Sequence, residues 1–263
     1  MAINIPIDAV PLPTILVVTV IVVLVAIELG FRIGRRRRDT QSGLADSEAQ
    51  LSAMTGAHLA LLAFIMAFSF SMASGHYQDR RELIMADANA ISTAHLRAQL
   101  IDSQEARNIQ DALLEYAQVR ATVKTIDDAP RMISESERLQ ALMWNDVQAM
   151  VKLQPPNVTH SLLIQSLNEA FDIHDLRITA ALKKRVPKSL WGFLAALLIL
   201  AMLGIGYFSG AKGNRNPIAS TCLALSFSLV LLLIADLDRP TGGTLRADQG
   251  PMLDMLEKLQ REP

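Results

Sequence analysis

The chain has 263 residues, a net charge of −1 and a mean hydropathy of +0.26; 51% of its residues are hydrophobic, 19% are charged, and one is cysteine. Four stretches, Ala9–Ile27, Ala49–Gln78, Ser189–Ala211 and Asn216–Ala235, contain no Asp, Glu, Lys or Arg and run for 19, 30, 23 and 20 residues. About 20 apolar residues are what a helix needs to cross a bilayer, so this segregation excludes an ordinary soluble enzyme, a disulfide-stapled secreted domain, a disordered chain and a strongly basic nucleic-acid binder.

The first apolar segment, about Pro13–Leu29, is competed for by a signal-peptide reading. A signal peptide needs a basic start, a shorter apolar core and a small-residue cleavage site. Here the first 12 residues hold no Lys or Arg, and the cluster Arg35–Arg38 follows the span. The segment therefore reads as an uncleaved membrane anchor. Segment two covers about Thr55–Ser74, segment three about Leu190–Phe208 and segment four about Pro217–Ala235. In lipid each backbone polar group must be satisfied within its own segment, so the spans are helices. Ser209–Asn216 is a turn of a length that suits an antiparallel hairpin. Gly204 and Gly206, with Ala and Ser in segments two and four, allow close helix approach.

Between segments two and three lies a polar insert. Breakers near Ile101-Asp102-Ser103, Asp127-Asp128-Ala129-Pro130 and Gln154-Pro155-Pro156-Asn157 divide it into about four helices. Asp102 or Ser103 caps one helix, with Glu105 in its first turn. Ser134 and Glu137 fit a capping box for another. Leu113, Leu114, Tyr116 and Val119 form one apolar face, and Leu139, Leu142, Met143 and Val147 a second, at helical spacing. No loop cluster separates Ser74 from Ala98, so a membrane helix continues into the insert. A short last helix, Pro251–Gln260, follows a loop holding Pro240 and Gly242-Gly243. The fold class is thus all-α: an integral membrane protein with four transmembrane helices and a helical insert between helices two and three. The expected divisions are 1–75 (helices one and two), 76–188 (helical polar domain), 189–236 (helices three and four) and 237–263 (C-terminal segment).

No Ser/His/Asp or Cys/His nucleophile pattern, no Gly-rich phosphate loop and no paired-ligand metal motif is present. The expectation is no enzyme, no cofactor, no metal and no nucleic-acid partner. Asp172-Ile173-His174-Asp175 invites a metal, but neighbouring ligands on a helix diverge. Cys222 reads as a small buried apolar residue.

Leu62-Ala63-Phe64-Ile65-Met66-Ala67-Phe68-Ser69-Phe70-Ser71-Met72-Ala73, then His76-Tyr77-Gln78-Asp79-Arg80-Arg81-Glu82, then Asp87-Ala88-Asn89-Ala90 make a recognisable pattern. The ending Asp236-Leu237-Asp238-Arg239-Pro240-Thr241-Gly242-Gly243, followed by Pro251-Met252-Leu253, adds to it. From about Leu44 onward the chain resembles a bacterial family of small membrane proteins called bestrophin-like, and more distantly the bestrophin ion channels. The resemblance implies four membrane helices with an insert between the second and third, a homo-oligomer (a pentamer), a multi-pass place in the bacterial inner membrane, and lipids and ions as partners. Ser71-Met72 stands where the channels usually have Arg-Asn, Arg239 replaces an acid, and Thr241 replaces an aromatic. The acidic calcium clasp of the animal channels is reduced to Asp236 and Asp238, so calcium gating is not carried over. Sidedness stays open: the Arg35–Arg38 cluster favours an external insert, whereas the resemblance implies a cytoplasmic one.

In a channel, segment two lines the pore. Ala60, Phe64 and Phe68 share one helical face, and two phenylalanine layers repeated around a ring make an apolar neck that gates by excluding water. The same face suits plain helix packing. Ser69, Ser71 and Ser74 either bind back to their own helix or, as Ser71 near the neck, face an ion. Tyr77, Arg80 and Arg81 suit a vestibule that concentrates anions or an interfacial anchor. Asp87 and Asn89 read as a buried polar pair. Asp238, Arg239 and Pro240 are the candidate C-terminal motif. The two functions in play are an oligomeric ion channel with an apolar neck and a non-conducting sensor or scaffold whose helical domain binds a partner or ligand.

Overall fold

The computed structural model describes residues 10–40, 45–122, 126–153, 155, 157–241 and 243–261. Gln154, Pro156 and Gly242, which the sequence assigns to loops, lie outside the described residues. All regular structure among the described residues is helical: α1 (Leu12–Thr40), α2 (Ala45–Gln99), α3 (Gln104–Ala121), α4 (Ala129–Leu153), α5 (Val158–Leu182), α6 (Lys188–Lys212), α7 (Pro217–Asp238) and α8 (Gly250–Arg261), with a 3₁₀ turn at Ile126–Asp128. Among the described residues four helices, α1, α2, α6 and α7, are long and apolar enough to cross a membrane. The chain forms two compact units, Met1–Gly75 with Arg185–Arg239, and His76–Lys184 with Pro240–Pro263; α2 contributes to both.

In the membrane unit α1 packs on α6 and α7. Its core joins Val23, Ala26 and Ile27 of α1 to Leu62 and Met66 of α2, Leu194, Leu198 and Met202 of α6, and Ala224 and Leu231 of α7. Hydrocarbon tails compete equally for apolar side chains, so what holds such helices is close backbone packing. Two glycine pairs supply it. A Cβ added at Gly30 would stand 2.1 Å from the Leu203 carbonyl oxygen, and one at Gly34 2.2 Å from that of Tyr207. Reciprocally, a Cβ at Gly206 would stand 2.0 Å from the Ile27 oxygen, and one at Gly210 2.2 Å from the Phe31 oxygen. The expectation for Gly206 holds. Gly204 faces open space, because it sits two residues away and points off the contact face.

The α6–α7 turn is tighter than its sequence implies. Helix α6 continues through Lys212 and closes at Gly213, whose φ of +73° lets its N–H reach Gly210 O (3.1 Å) and that of Asn214 reach Ser209 O (3.2 Å). Asn216 then caps α7 by accepting from the Ala219 N–H at 3.1 Å, with Pro217 in the first turn. Cys222 is exposed on α7 rather than buried. It lies on the outward face, where lipid accepts an apolar thiol as readily as a core does.

The helical unit has a water-soluble kind of core. Ile91, Ile109, Leu113, Tyr116, Leu139, Met143, Met150, Leu163 and Leu167 are buried together. Helix α8 adds Met252, Met255, Leu256 and Leu259, an i, i+3, i+4, i+7 stripe. Ser103 caps α3 by accepting from the Ala106 N–H (3.1 Å), and Asn157 caps α5 through the His160 N–H (2.8 Å). The capping box at Ser134 and Glu137 does not form. Helix α4 already starts at Ala129, with Pro130 in its first turn, and Ser134 donates back to Arg131 O at 3.0 Å. Pro130 needs no N–H partner there and starts the helix earlier. Leu142 faces outward, so the buried α4 stripe is Leu139, Met143, Val147 and Met150.

A methyl group at Gly206 has to push a backbone carbonyl, whereas one at Gly204 does not. Gly206→Ala is therefore expected to cost about 1–3 kcal/mol, the usual range for overpacking. Thermal melts of detergent-purified protein should show a clearly lower Tm for Gly206→Ala than for Gly204→Ala. Equal melting of the two variants contradicts the glycine contact.

Candidate functional site

Helix α2 within the membrane unit has two opposed faces. Leu62, Met66, Ser69 and Ala73 are buried, and their spacing of four, three and four residues keeps them on one stripe at about 100° per residue. Ala60, Phe64, Phe68 and Ser71 fall about 130–170° around the helix from the centre of that stripe. All four are exposed, Phe64 at 68% and Phe68 at 56%. The chain's own helices therefore do not cover this face. It differs from the outer face of α1, where Val17, Val18, Ile21, Val22, Val25 and Leu29 make a continuous aliphatic surface. On α2 small residues alternate with the phenylalanines, and Ala57, Ala67 and Ser71 are exposed beside them. Ser69 is not part of that surface: its hydroxyl donates to Ile65 O at 2.7 Å, satisfying itself on its own helix.

Asp238 ends α7 and is buried. Its Oδ1 accepts from the Val186 N–H at 2.8 Å and its Oδ2 from Arg185 Nε at 3.4 Å, which ties the end of α7 to the segment entering α6. Arg239, also buried, donates to the Val10 carbonyl. These contacts give the Asp-Arg pair a role in closing the membrane unit.

In the helical unit, α2 carries Tyr77, Arg80, Arg81, Asp87 and Asn89. Tyr77 donates to Arg246 O at 3.3 Å. Arg81 is exposed and lies 5.9 Å from the Tyr77 ring centre. Arg80 is buried. The expected Asp87–Asn89 pair does not exist: Asn89 is exposed, two residues around the helix, while Asp87 is fully buried. Asp87 is instead paired with two arginines that sequence spacing does not connect to it. Its Oδ2 accepts from Arg120 Nε and NH2, both at 2.8 Å, and from Arg177. Arg120 also donates to the Tyr116 hydroxyl (3.2 Å) and to His174 Nδ1, and Gln140 donates to the same hydroxyl at 3.0 Å.

Two guanidinium groups thus share one buried carboxylate. Removing one member of a buried ion pair generally costs about 3–5 kcal/mol, because the other is left uncompensated. Burial raises the Tyr116 hydroxyl to about 12, with Arg120 opposing. Burial and then the Arg120 charge lower the pKa of Arg177, while Asp87 pulls it back up. Burial, then Arg120, depresses His174 from 6.5 to about 4; Asp87 opposes and Arg177 adds to the depression.

The sequence matches the Bestrophin-like domain family over residues 17–252. Among solved structures it is similar to a bacterial bestrophin homologue from Klebsiella pneumoniae carrying a leucine-to-threonine change. That match has a TM-score of 0.64 and 13% identity, and covers 94% of this chain and 97% of that one. An isoleucine-to-threonine variant of the homologue gives a TM-score of 0.60 at 18% identity, covering 95% and 98%. A further structure, a membrane protein with a proline-to-alanine change, gives 0.63 at 14%, covering 94% and 96%. At these identities the likeness is one of fold. No curated protein matches the sequence.

The His174 ring yields a test of the buried cluster. Unfolded, it titrates near 6.5; folded, near 4. Between those values the unfolded chain holds the extra proton, so this contribution to stability is complete above 6.5 and is lost as pH falls towards 4. The Tm should drop between about pH 7.5 and pH 5, and His174→Gln, which carries no titrating ring, should lessen the drop. An identical pH slope in both proteins contradicts the assignment.

Proposed function

The chain belongs to the bestrophin-like family, and from that premise we propose that it assembles as a ring of identical copies, five by resemblance, and passes ions passively across the bacterial inner membrane. The neck of the path is the face of α2 bearing Ala60, Phe64, Phe68 and Ser71. The observation that carries this reading is the exposure of that face in the isolated chain, with the phenylalanines turned away from the buried Leu62–Ala73 stripe. Small residues interleaved with the aromatics let copies approach around an axis. Rings of Phe64 and Phe68 would narrow the path and make it hard to wet, and Ser71 would offer a hydroxyl beyond them. An apolar neck of this kind sets no sign of charge. Lipids cover the remaining membrane surface.

One observation favours a second reading, a non-conducting sensor or scaffold: a cavity of about 380 Å³ in the helical unit, large enough for a small ligand. Purified oligomers in planar bilayers separate the two. Conduction predicts unitary currents, with a several-fold larger conductance for Phe64→Ala or Phe68→Ala, roughly as expected when a dewetted constriction is opened. Silence from intact, well-folded oligomers contradicts it and leaves the sensor.

A further inference from the structure

The cavity in the helical unit is bounded by α2, the end of α3, the start of α4, α5 and the segment leading into α8. Most of its lining is apolar, with Leu83, Met132, Ile133 and Ile178 among the contributors. Its polar lining is dominated by cations: Arg80, Arg120, Arg177 and Arg246, with His174 beside them. Asp248 also lines it, but its Oδ1 already accepts from the Gly250 N–H at 3.0 Å. Asp87, the carboxylate shared by Arg120 and Arg177, does not line the space.

His174 shows what is missing. Its Nδ1 faces an Arg120 N–H, and a guanidinium can only donate, so Nδ1 must be the acceptor. In the neutral ring the proton then sits on Nε2. That Nε2–H is buried and has no partner among the described residues. Buried donors are almost always paired, by protein, water or ligand. The cavity wall therefore combines two guanidinium groups sharing a single carboxylate, the His174 ring beside them and an apolar surface.

We propose that this cavity is a binding site for a small amphipathic carboxylate. The carboxylate accepts from Arg177 and Arg120, beside the His174 ring, and the apolar body lies against Leu83, Ile133 and Ile178. Guanidinium groups match a carboxylate in both charge and planar geometry, which an ammonium does not. The site belongs to the helical unit alone and does not depend on whether the membrane unit conducts.

The test uses full-length protein in nanodiscs and three probes of nearly equal shape: phenylacetate, phenylacetamide and phenethylamine. Calorimetry and ligand-detected saturation-transfer NMR should show phenylacetate bound at least about tenfold more tightly than the neutral amide, and the amine not bound. Ile133→Trp, which fills the cavity without touching the charges, should abolish binding. Arg177→Lys should weaken it by about tenfold while leaving the charge in place. Displacement of phenylacetate by laurate would mark a membrane fatty acid as the source, and failure to displace it a soluble carboxylate; both support the site. Equal binding of the three probes, or undiminished phenylacetate binding by folded Ile133→Trp, would overturn it. The three-probe comparison on the unaltered protein decides the matter even if neither variant folds.

Discussion

Four glycines govern the membrane unit. Gly30 and Gly34 on α1 meet Gly206 and Gly210 on α6, each pair four residues apart and each closing on the other helix's carbonyl oxygens. Lipid removes the hydrophobic force that drives helices together in water, so association rests on such contact. With α1 seated on α6, and α7 seated on α1, Asp238 fastens the end of α7 to Val186 and Arg185. On α2 this packing buries Leu62 and Met66, with Leu59 and Ile65 packed beside them, on the same stripe as the buried Ser69 and Ala73. The phenylalanine face stays uncovered by the chain's described helices.

The helical unit is stabilised differently. It has an ordinary apolar core, supplemented by α8. Within it sits a charged centre with an unusual balance: Asp87 answers both Arg120 and Arg177. A core of this size does not require ions, and buried ion pairs are poor sources of net stability. Their presence next to a cavity of about 380 Å³ is more readily understood as a positively biased recognition site than as a structural brace. Tyr116 and His174 then serve as its scaffolding. The tyrosine hydroxyl and the His174 Nδ1 each accept from Arg120 and hold its plane.

The spans, the all-helical insert and the last helix were legible because uncharged runs and helical periodicity are local signals. Ser103 was legible as a cap for the same reason. What the sequence concealed is long-range. Gly30 and Gly34 have the same spacing as Gly206 and Gly210, but only their juxtaposition distinguishes them from Gly204, where an added Cβ would meet nothing. Asp87 could be picked out by its position beyond the membrane span, yet its partners stand 33 and 90 residues away. Asn89 has the same chemistry as a candidate partner and lies on the wrong side of the helix. The false capping box at Ser134 arose because Pro130, one turn earlier, is the stronger start signal. Ala60, Phe64 and Phe68 share a face by spacing alone, whereas the fact that this face is uncovered needed the packed unit.

The central claim is that the phenylalanine face of α2 meets water and not lipid. Cysteine accessibility tests it most directly. With Cys222 replaced by alanine, since it is exposed, single cysteines at Phe68 and at Val18 on the outer face of α1 would be challenged in intact membranes with a charged, water-soluble thiosulfonate. The thiolate is the reactive form and needs water. Phe68→Cys should be modified while Val18→Cys stays protected. Protection of both, with reaction only towards a lipophilic maleimide, would place the α2 face against the acyl chains and contradict a path through the ring.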